Sequence, residues 1–466
     1  MYLADRAAAR GPGLPGGGGR ERRGALGSGA ATVFALGAVS LVTDVSSEMV
    51  TAVLPLYLVV GLGVSPLGFG VLDGVYNGVG ALVQLTGGHL ADRVRSHKLV
   101  AGVGYGLSAL CKPLLLLVHS LGPIGAVLAL ERTGKGLRTA PRDALISLSV
   151  PPERRGRAFG LHRAMDTTGA LLGPLSAFLI LRAATGGYDA VFGVSGCVAV
   201  LGVLVLVLFV PGRSRGGAAP GPGERIQLRD VPGLLRVRRL RALAVCAALL
   251  GLTTVSDAFV YLLLQRRTGI GQQWFTLLPL GTAAVFLLLA MPFGALADRW
   301  GRRGVFLAGH AGLLCAYGLL LWAPGGTGAG LARPVLPALV LALHGGFYAA
   351  TDGVLPAAVA DVAPERLRAS GLALVGSGQA LARFGCSLGF GALWTAWGDG
   401  VALGVSAIGL AVCAAVAGVV LRGDGRGKGS GNGAGLGSGN GAGRGSGIGV
   451  EKADGNGEAG GGGGEP

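Results

Sequence analysis

Charge is scarce in this chain, and so are the residue patterns that enzymes use. Only 14% of its 466 residues are Asp, Glu, Lys or Arg, against about 25% in ordinary soluble domains. The six cysteines (111, 197, 246, 315, 386 and 413) all lie in apolar runs and form neither a C-x-x-C nor a His-spaced pair. That pattern excludes a disulfide framework and a zinc site. Aromatics make up 6%, and no basic stripe interleaved with stacking rings accompanies the net charge of +16, so nucleic acid is not an expected partner. The residues before Arg23 contain no apolar core of signal-peptide type, and the first hydrophobic run is expected to serve as an uncleaved insertion signal. With 90 glycines, chance motifs arise. Gly134-Lys135-Gly136 lacks the leading Gly and the trailing Ser/Thr of a phosphate loop. Gly212-Arg-Ser214-Arg-Gly216 and Gly385-Cys-Ser387-Leu-Gly389 spell G-x-S-x-G, yet neither follows a strand that would present a nucleophile. No enzyme activity, cofactor or metal is expected.

What the chain does have is hydrophobic length. Half of it (51%) is apolar, and the mean hydropathy is +0.59. Crossing about 30 Å of hydrocarbon takes about 20 apolar residues. Runs of that length fall near 33–60, 67–90, 99–118, 122–145, 159–181 and 190–210, and again near 241–264, 274–297, 304–323, 334–360, 371–396 and 400–421. The expected fold is therefore an all-α membrane protein, with twelve transmembrane helices in two six-helix, pseudo-symmetric bundles.

The basic residues alternate from gap to gap. Arg93, Arg95 and Lys98 lie between spans 2 and 3, Arg154, Arg155 and Arg157 between spans 4 and 5, and Arg299, Arg302 and Arg303 between spans 8 and 9. Arg366 and Arg368 lie between spans 10 and 11, and eight arginines between 213 and 241. The other gaps hold only Arg182, Arg266, Arg267 and Arg333. The positive-inside rule puts the rich side in the cytoplasm, so both termini are expected inside, at the cell membrane. The organisation read from this is an N-terminal disordered segment (1–30), a first bundle (31–210), a basic linker (211–240), a second bundle (241–422) and a Gly-rich flexible tail (423–466). The tail carries Gly-Ser-Gly-Asn-Gly-Ala-Gly-Leu at 429–436 and nearly repeats it at 437–444, a composition that cannot bury a core.

One short polar element occurs twice. Gly88-His-Leu-Ala-Asp92-Arg93-Val-Arg-Ser-His-Lys98 returns as Gly294-Ala-Leu-Ala-Asp298-Arg299-Trp-Gly301-Arg302-Arg303, each time between spans 2 and 3 of its half. A transporter made of two repeated half-bundles has a use for the same element at the same turn of each half.

Charges inside the apolar runs are the candidate working residues, because each costs roughly 3 kcal/mol or more at the bilayer centre. Asp44 and Glu48 stand at i and i+4 on one face of the first span, with Pro55 further along. Asp73 is in the second span and Lys112 in the third. The fourth carries Glu131, Lys135, Arg138 and Arg142 as one stripe, with Arg132 turned about 100° away. Arg163 and Asp166 follow in the fifth, and Asp257, Asp352, Asp361 and Arg383 are the comparable residues of the second half. Among these, Asp44, Glu48, Asp73, Glu131, Arg132, Lys135, Asp166 and Asp257 are the expected cavity and proton-coupling residues. The glycines Gly70, Gly74 and Gly78, four apart in the second span, suit close approach between helices.

These residues resemble the major facilitator superfamily. Its loop signature G-x-L-x-D-R-x-G-R-[RK] is matched throughout by Gly294, Leu296, Asp298, Arg299, Gly301, Arg302 and Arg303. The first copy matches at Gly88, Leu90, Asp92 and Arg93, with Arg95 where Gly is usual and Ser96 where a basic residue is usual. Arg132-Thr-Gly-Lys135-Gly136 is similar to the family's R-x-x-Q-G, with Lys135 in place of Gln. Gly169-Ala-Leu-Leu-Gly173-Pro174 is similar to the front of the helix 5 antiporter motif G-x-x-x-G-P-x-x-G-G, with Ala177 and Phe178 in place of its last two glycines. The resemblance implies two bundles rocking about a central site. It places Gly88, Asp92, Arg93, Gly294, Asp298, Arg299, Gly301, Arg302 and Arg303 in a conformational latch, and it sets Arg132 against the acids of the first span.

The expected function is secondary active transport by alternating access, proton-coupled, exporting a small molecule such as a drug or metabolite. The partners are the substrate, protons as coupling ion and the lipid bilayer, and the protein is expected to be a monomer. Two alternatives stay open. One is a proton-coupled importer of a sugar, organic anion or other nutrient, for which the cationic stripe of the fourth span would suit an anion. The other is a non-transporting membrane sensor or scaffold, and buried Asp44 and Glu48 with the fourth-span cations could equally form a static ion-pair network.

Overall fold

A computed structural model describes residues 18–94, 96–151, 154–184, 187–211, 235–323, 332–362 and 368–423. Every element among them is helical. In hydrocarbon each backbone N–H and C=O has to be satisfied within its own segment, and an apolar chain does this by forming helices. The first half contains α1 (Gly18–Leu56), α2 (Pro66–Val94), α3 (His97–Leu114), α4 (Leu121–Ser149), α5 (Arg155–Ala183) and α6 (Gly187–Phe209). A π-helical turn at Tyr57–Gly61 extends α1, just after Pro55, which has no N–H to donate.

The second half contains α7 (Arg238–Thr253), α8 (Asp257–Thr268), α9 (Gln272–Phe275), α10 (Leu278–Trp300), α11 (Arg302–Trp322), α12 (Ala332–Thr351), α13 (Val354–Val362), α14 (Arg368–Trp397) and α15 (Asp399–Gly423). Pairs α7/α8, α9/α10 and α12/α13 each make one crossing, so twelve crossings result, as the hydrophobic runs predict. Eight stretches, Gly29–Gly61 and Arg238–Thr268 among them, are long and apolar enough to span a membrane by composition alone. Helix α4 falls short because of Glu131, Arg132, Lys135, Arg138 and Arg142, and α3 because of Lys98 and Lys112. These are helices that only a polar interior would retain.

The packing repeats between halves. In the first, α1 lies on α5 and α6, α4 on α2 and α3, and α3 on α6. In the second, α7 lies on α14 and α15, α12 on α10 and α11, and α11 on α15. Shifting each pair by six crossings converts one set into the other. The halves meet through α2 against α14 and, less extensively, α5 against α10, which are again equivalent under that shift.

The α2/α14 seam is built on glycine. A Cβ at Gly70 would run into the carbonyl of Ser387, one at Gly74 into the ring of Phe384, and one at Gly391 into the carbonyl of Pro66. The four-residue spacing thus serves close approach, here between the two halves. Leu67 N–H donates to Thr395 Oγ1 at 2.9 Å, and Phe69 meets Phe259 edge to face at 4.9 Å. Phe178 of α5 contacts Trp274 of α9 at 5.2 Å. All these residues lie toward the end of the bundles that carries the connections 1–2 and 11–12, which is the closed end. The two signature loops lie at the other.

Candidate functional site

Between the halves lies a cavity of about 390 Å³. The helix breaks position it. Span 7 is interrupted at Thr254, Val255 and Ser256, and all three line the cavity. Irregular backbone is tolerated at membrane depth where it faces a cavity and its polar groups find partners. Here Tyr317 Oη accepts from Val255 N–H at 2.8 Å. Span 10 is interrupted likewise at Asp352-Gly353. Each break carries an aspartate at the cavity, Asp257 at the N-terminus of α8 and Asp352 at the end of α12, and the helix N-terminus favours the negative charge of Asp257.

On the side of the second half, Tyr348 Oη donates to Asp257 Oδ1 at 2.5 Å, and His344 Nε2 is 3.4 Å from the same oxygen. His344 is fully enclosed, among the rings of Tyr261, Phe347 and Tyr348. Arg383 stands over the Tyr348 ring at 5.9 Å. From the first half come Glu48, Tyr76 and Asp73. Asp73 Oδ2 accepts from Ser387 Oγ of α14 at 2.5 Å, and Asn77 Nδ2 lies 3.3 Å from Asp73 Oδ1.

Beside the cavity, α1, α3, α4 and α5 hold a network of ion pairs. Lys112 Nζ lies 3.2 Å from Glu131 Oε1, and Arg132 Nε 3.1 Å from Glu131 Oε2. Lys135 reaches Glu48 at 3.8 Å and Arg138 reaches Asp44 at 3.4 Å. Arg142 contacts Asp143 at 3.0 Å and Asp166 at 3.7 Å, and it donates to Ser40 Oγ at 3.3 Å. His162 Nε2 lies 2.8 Å from the same hydroxyl. Lys112, Glu131 and Arg138 are all buried.

The nearest partners of Arg132 are Glu131 and the Tyr76 ring, while the acids of the first span pair directly with Lys135 and Arg138. Helices α1 and α4 run antiparallel, so each turn up α1 is matched by a turn down α4: Ser40 meets Arg142, Asp44 meets Arg138 and Glu48 meets Lys135. Arg132 falls one step further, beyond the acids, where its guanidinium lies over the Tyr76 ring at 3.3 Å. Tyr76 in turn hydrogen-bonds Thr51 at 2.6 Å.

The helix 5 glycines act by proximity. A Cβ on Gly169 would strike the Leu41 carbonyl, and one on Gly173 would strike Glu48 Cβ, so this motif lets α5 close on α1 at the level of the acids. Pro174 is buried beside it. In the second signature, Gly301 has φ +93°, a conformation that glycine adopts without strain. Arg302 pairs with Asp361 and donates to the Ala357 carbonyl at 2.8 Å, and Arg303 donates to the Gly418 carbonyl at 2.6 Å. Gly294 is half-buried, and Asp298 and Arg299 are exposed. In the first copy, Gly88, Asp92 and Arg93 lie on the course of α2, but their side chains are outside the described residues. Tyr76, His344 and Tyr348 do not stand out in the sequence, because none of them is an anomaly of charge, and Ser387 is met there only within a chance G-x-S-x-G match.

A profile of the Major Facilitator Superfamily matches residues 36–385. The chain belongs to the major facilitator superfamily. An uncharacterized MFS-type transporter of Methanocaldococcus jannaschii is 30% identical over 374 residues, spanning 78% of this chain and 88% of the relative. Among solved structures, a nucleoside transporter superposes with a TM-score of 0.68 at 15% identity, covering 84% of this chain and 99% of that one. A bacterial homolog of the human lysosomal transporter Spinster, in an inward-facing and unoccupied conformation, superposes with a TM-score of 0.66 at 15% identity, covering 85% and 97%. As a superfamily member the protein is an integral membrane protein and a secondary transporter of small molecules, not an enzyme.

Proposed function

We propose that this transporter is proton-coupled and exports a small molecule that is neutral or cationic and carries both apolar and hydrogen-bonding groups. The observation that carries this reading is the charge of the cavity wall. Among the described residues, Glu48, Asp73, Asp257 and Asp352 line it against one base, Arg383. The fourth-span cations, which in sequence suited an anionic substrate, are each engaged with a carboxylate or a ring in the first half, and none lines the cavity. Phe69, Tyr76, Phe275 and Phe286 supply apolar and aromatic surface between the acids, as expected of a pocket for an amphipathic ligand.

The acids also supply the energetic link. A carboxylate in a closed, poorly hydrated cavity holds a proton more tightly than one open to water, so its occupancy changes as the bundles rock. Asp44 and Glu48 sit on α1 beside Lys135 and Arg138, and Asp257 sits at the break in span 7. We assign proton exchange to this set. With the signature loops in the cytoplasm, as the arginine distribution indicates, the closed end faces outward and the described state receives substrate from inside.

The test is flux into everted vesicles for a panel of organic cations, nucleosides and neutral sugars, with and without an imposed pH gradient. Accumulation that is driven by an acidic interior and collapses with a protonophore supports export by proton exchange. Accumulation driven by an acidic exterior reverses the direction to symport, and accumulation indifferent to pH removes the proton.

A further inference from the structure

The seam between the halves contains one carboxylate that belongs to both the cavity and the gate. Asp73 is buried, on α2, and lines the cavity. Both of its oxygens are engaged. Oδ1 lies 3.3 Å from Asn77 Nδ2 on its own helix, whereas Oδ2 accepts from Ser387, a fully buried residue of α14, across the boundary. The bond lies within the glycine-lined contact. Ser387 contributes the very carbonyl against which Gly70 is pressed, and Phe384, one turn away, fills the space left by Gly74 and Gly78. Next to the seam stand Ser256 and Asp257 of the span 7 break and Arg383 of α14, which line the same cavity.

We propose that the Asp73–Ser387 hydrogen bond is the polar tie that holds the closed end shut, with Asp73 as a positioning residue of the transport cycle. The same boundary also carries apolar packing and the Leu67–Thr395 bond. Rocking of the bundles separates α2 from α14, and the tie is a buried polar interaction that this motion has to break. Hydrogen bonds to charged groups are about twice as strong as neutral ones, so removing it shifts the ratio of open to closed forms on the order of tenfold. Because Asp73 also faces the cavity, any ligand donor that takes Oδ2 competes with Ser387, and occupancy is thereby felt at the seam.

The tie rests on the cavity between the halves being the transport path, but its test needs no substrate. The exposed Cys197 and Cys315 and the half-exposed Cys413 are replaced by alanine in the full chain. Spin labels are then placed at Val60 and Trp397, both exposed at the closed end. Distances are measured by pulsed electron resonance in lipid nanodiscs, with thermal melting of each variant as a control on folding. Wild type should give one short distance. Ser387→Ala and Asp73→Ala should add a longer-distance population, and Asp73→Asn, which keeps a neutral oxygen to accept from Ser387, should add a smaller one. A Ser387→Ala trace that superimposes on wild type overturns the proposal, as does Asp73→Asn opening as far as Asp73→Ala. Failure of every compound in the flux panel with a Ser387→Ala shift intact would indict the substrate reading and leave the tie standing.

Discussion

At the scale of single residues, burial and pairing decide what each charge does. Arg138 and Asp44 are both nearly enclosed, with side-chain exposures of 3% and 12%, and removing one partner of such a pair leaves the other uncompensated. Arg138→Ala is expected to destabilise the protein by up to about 3 kcal/mol, read as a lower melting temperature in detergent. Arg132→Ala should be milder, because Glu131 keeps Lys112. Equal losses in the two variants would mean that the antiparallel register of α1 and α4 is wrong. Asp44→Asn together with Glu48→Gln is predicted to abolish gradient-driven accumulation while the protein still inserts. A double variant that still concentrates a panel compound against its gradient would leave proton exchange to Asp257 alone or shift it to Asp73 or Asp166.

At the scale of elements, the apolar runs and the repeated signature were legible because hydrophobic length and a fixed motif are properties of consecutive residues. The partner of Arg132 was not. Which turn of α4 meets which turn of α1 depends on how far the helices slide along each other, and neither sequence encodes that offset locally. The breaks at Thr254–Ser256 and Asp352-Gly353 were hidden too, because they sit inside otherwise continuous hydrophobic runs and their backbone groups are rescued by distant residues such as Tyr317. The glycine stripe was legible as a packing feature, but its partner α14, three hundred residues away, was not. Gly301 belongs to the same level. At φ +93° a Cβ is strained, so Gly301→Ala should cost on the order of 1–2 kcal/mol, visible by thermal melting. An unchanged melting temperature would mean that the α10/α11 turn adopts another conformation.

At the scale of the whole molecule, the packing of α1–α6 is repeated by α7–α15, and this internal symmetry allows one cavity to be exposed to alternate sides by rocking. The assignment of sides rests on the arginine asymmetry. Cysteines introduced into the loops 2–3, 6–7 and 8–9 should resist a membrane-impermeant reagent applied outside intact cells, and labelling of loop 6–7 from outside would invert the assignment. Deleting residues 430–466 should leave transport nearly unchanged at equal expression, because that Gly-rich composition has no core to lose. The central claim is that a cavity lined by Glu48, Asp73, Asp257 and Asp352 moves a small molecule in exchange for protons. The most direct measurement is accumulation of the organic cations, nucleosides and sugars of the panel in everted vesicles under an imposed pH gradient, against vesicles lacking the protein. The account predicts protein-dependent accumulation, driven by an acidic interior, of at least one neutral or cationic compound, abolished by protonophore. Protein-dependent accumulation that ignores the gradient and the protonophore would contradict it.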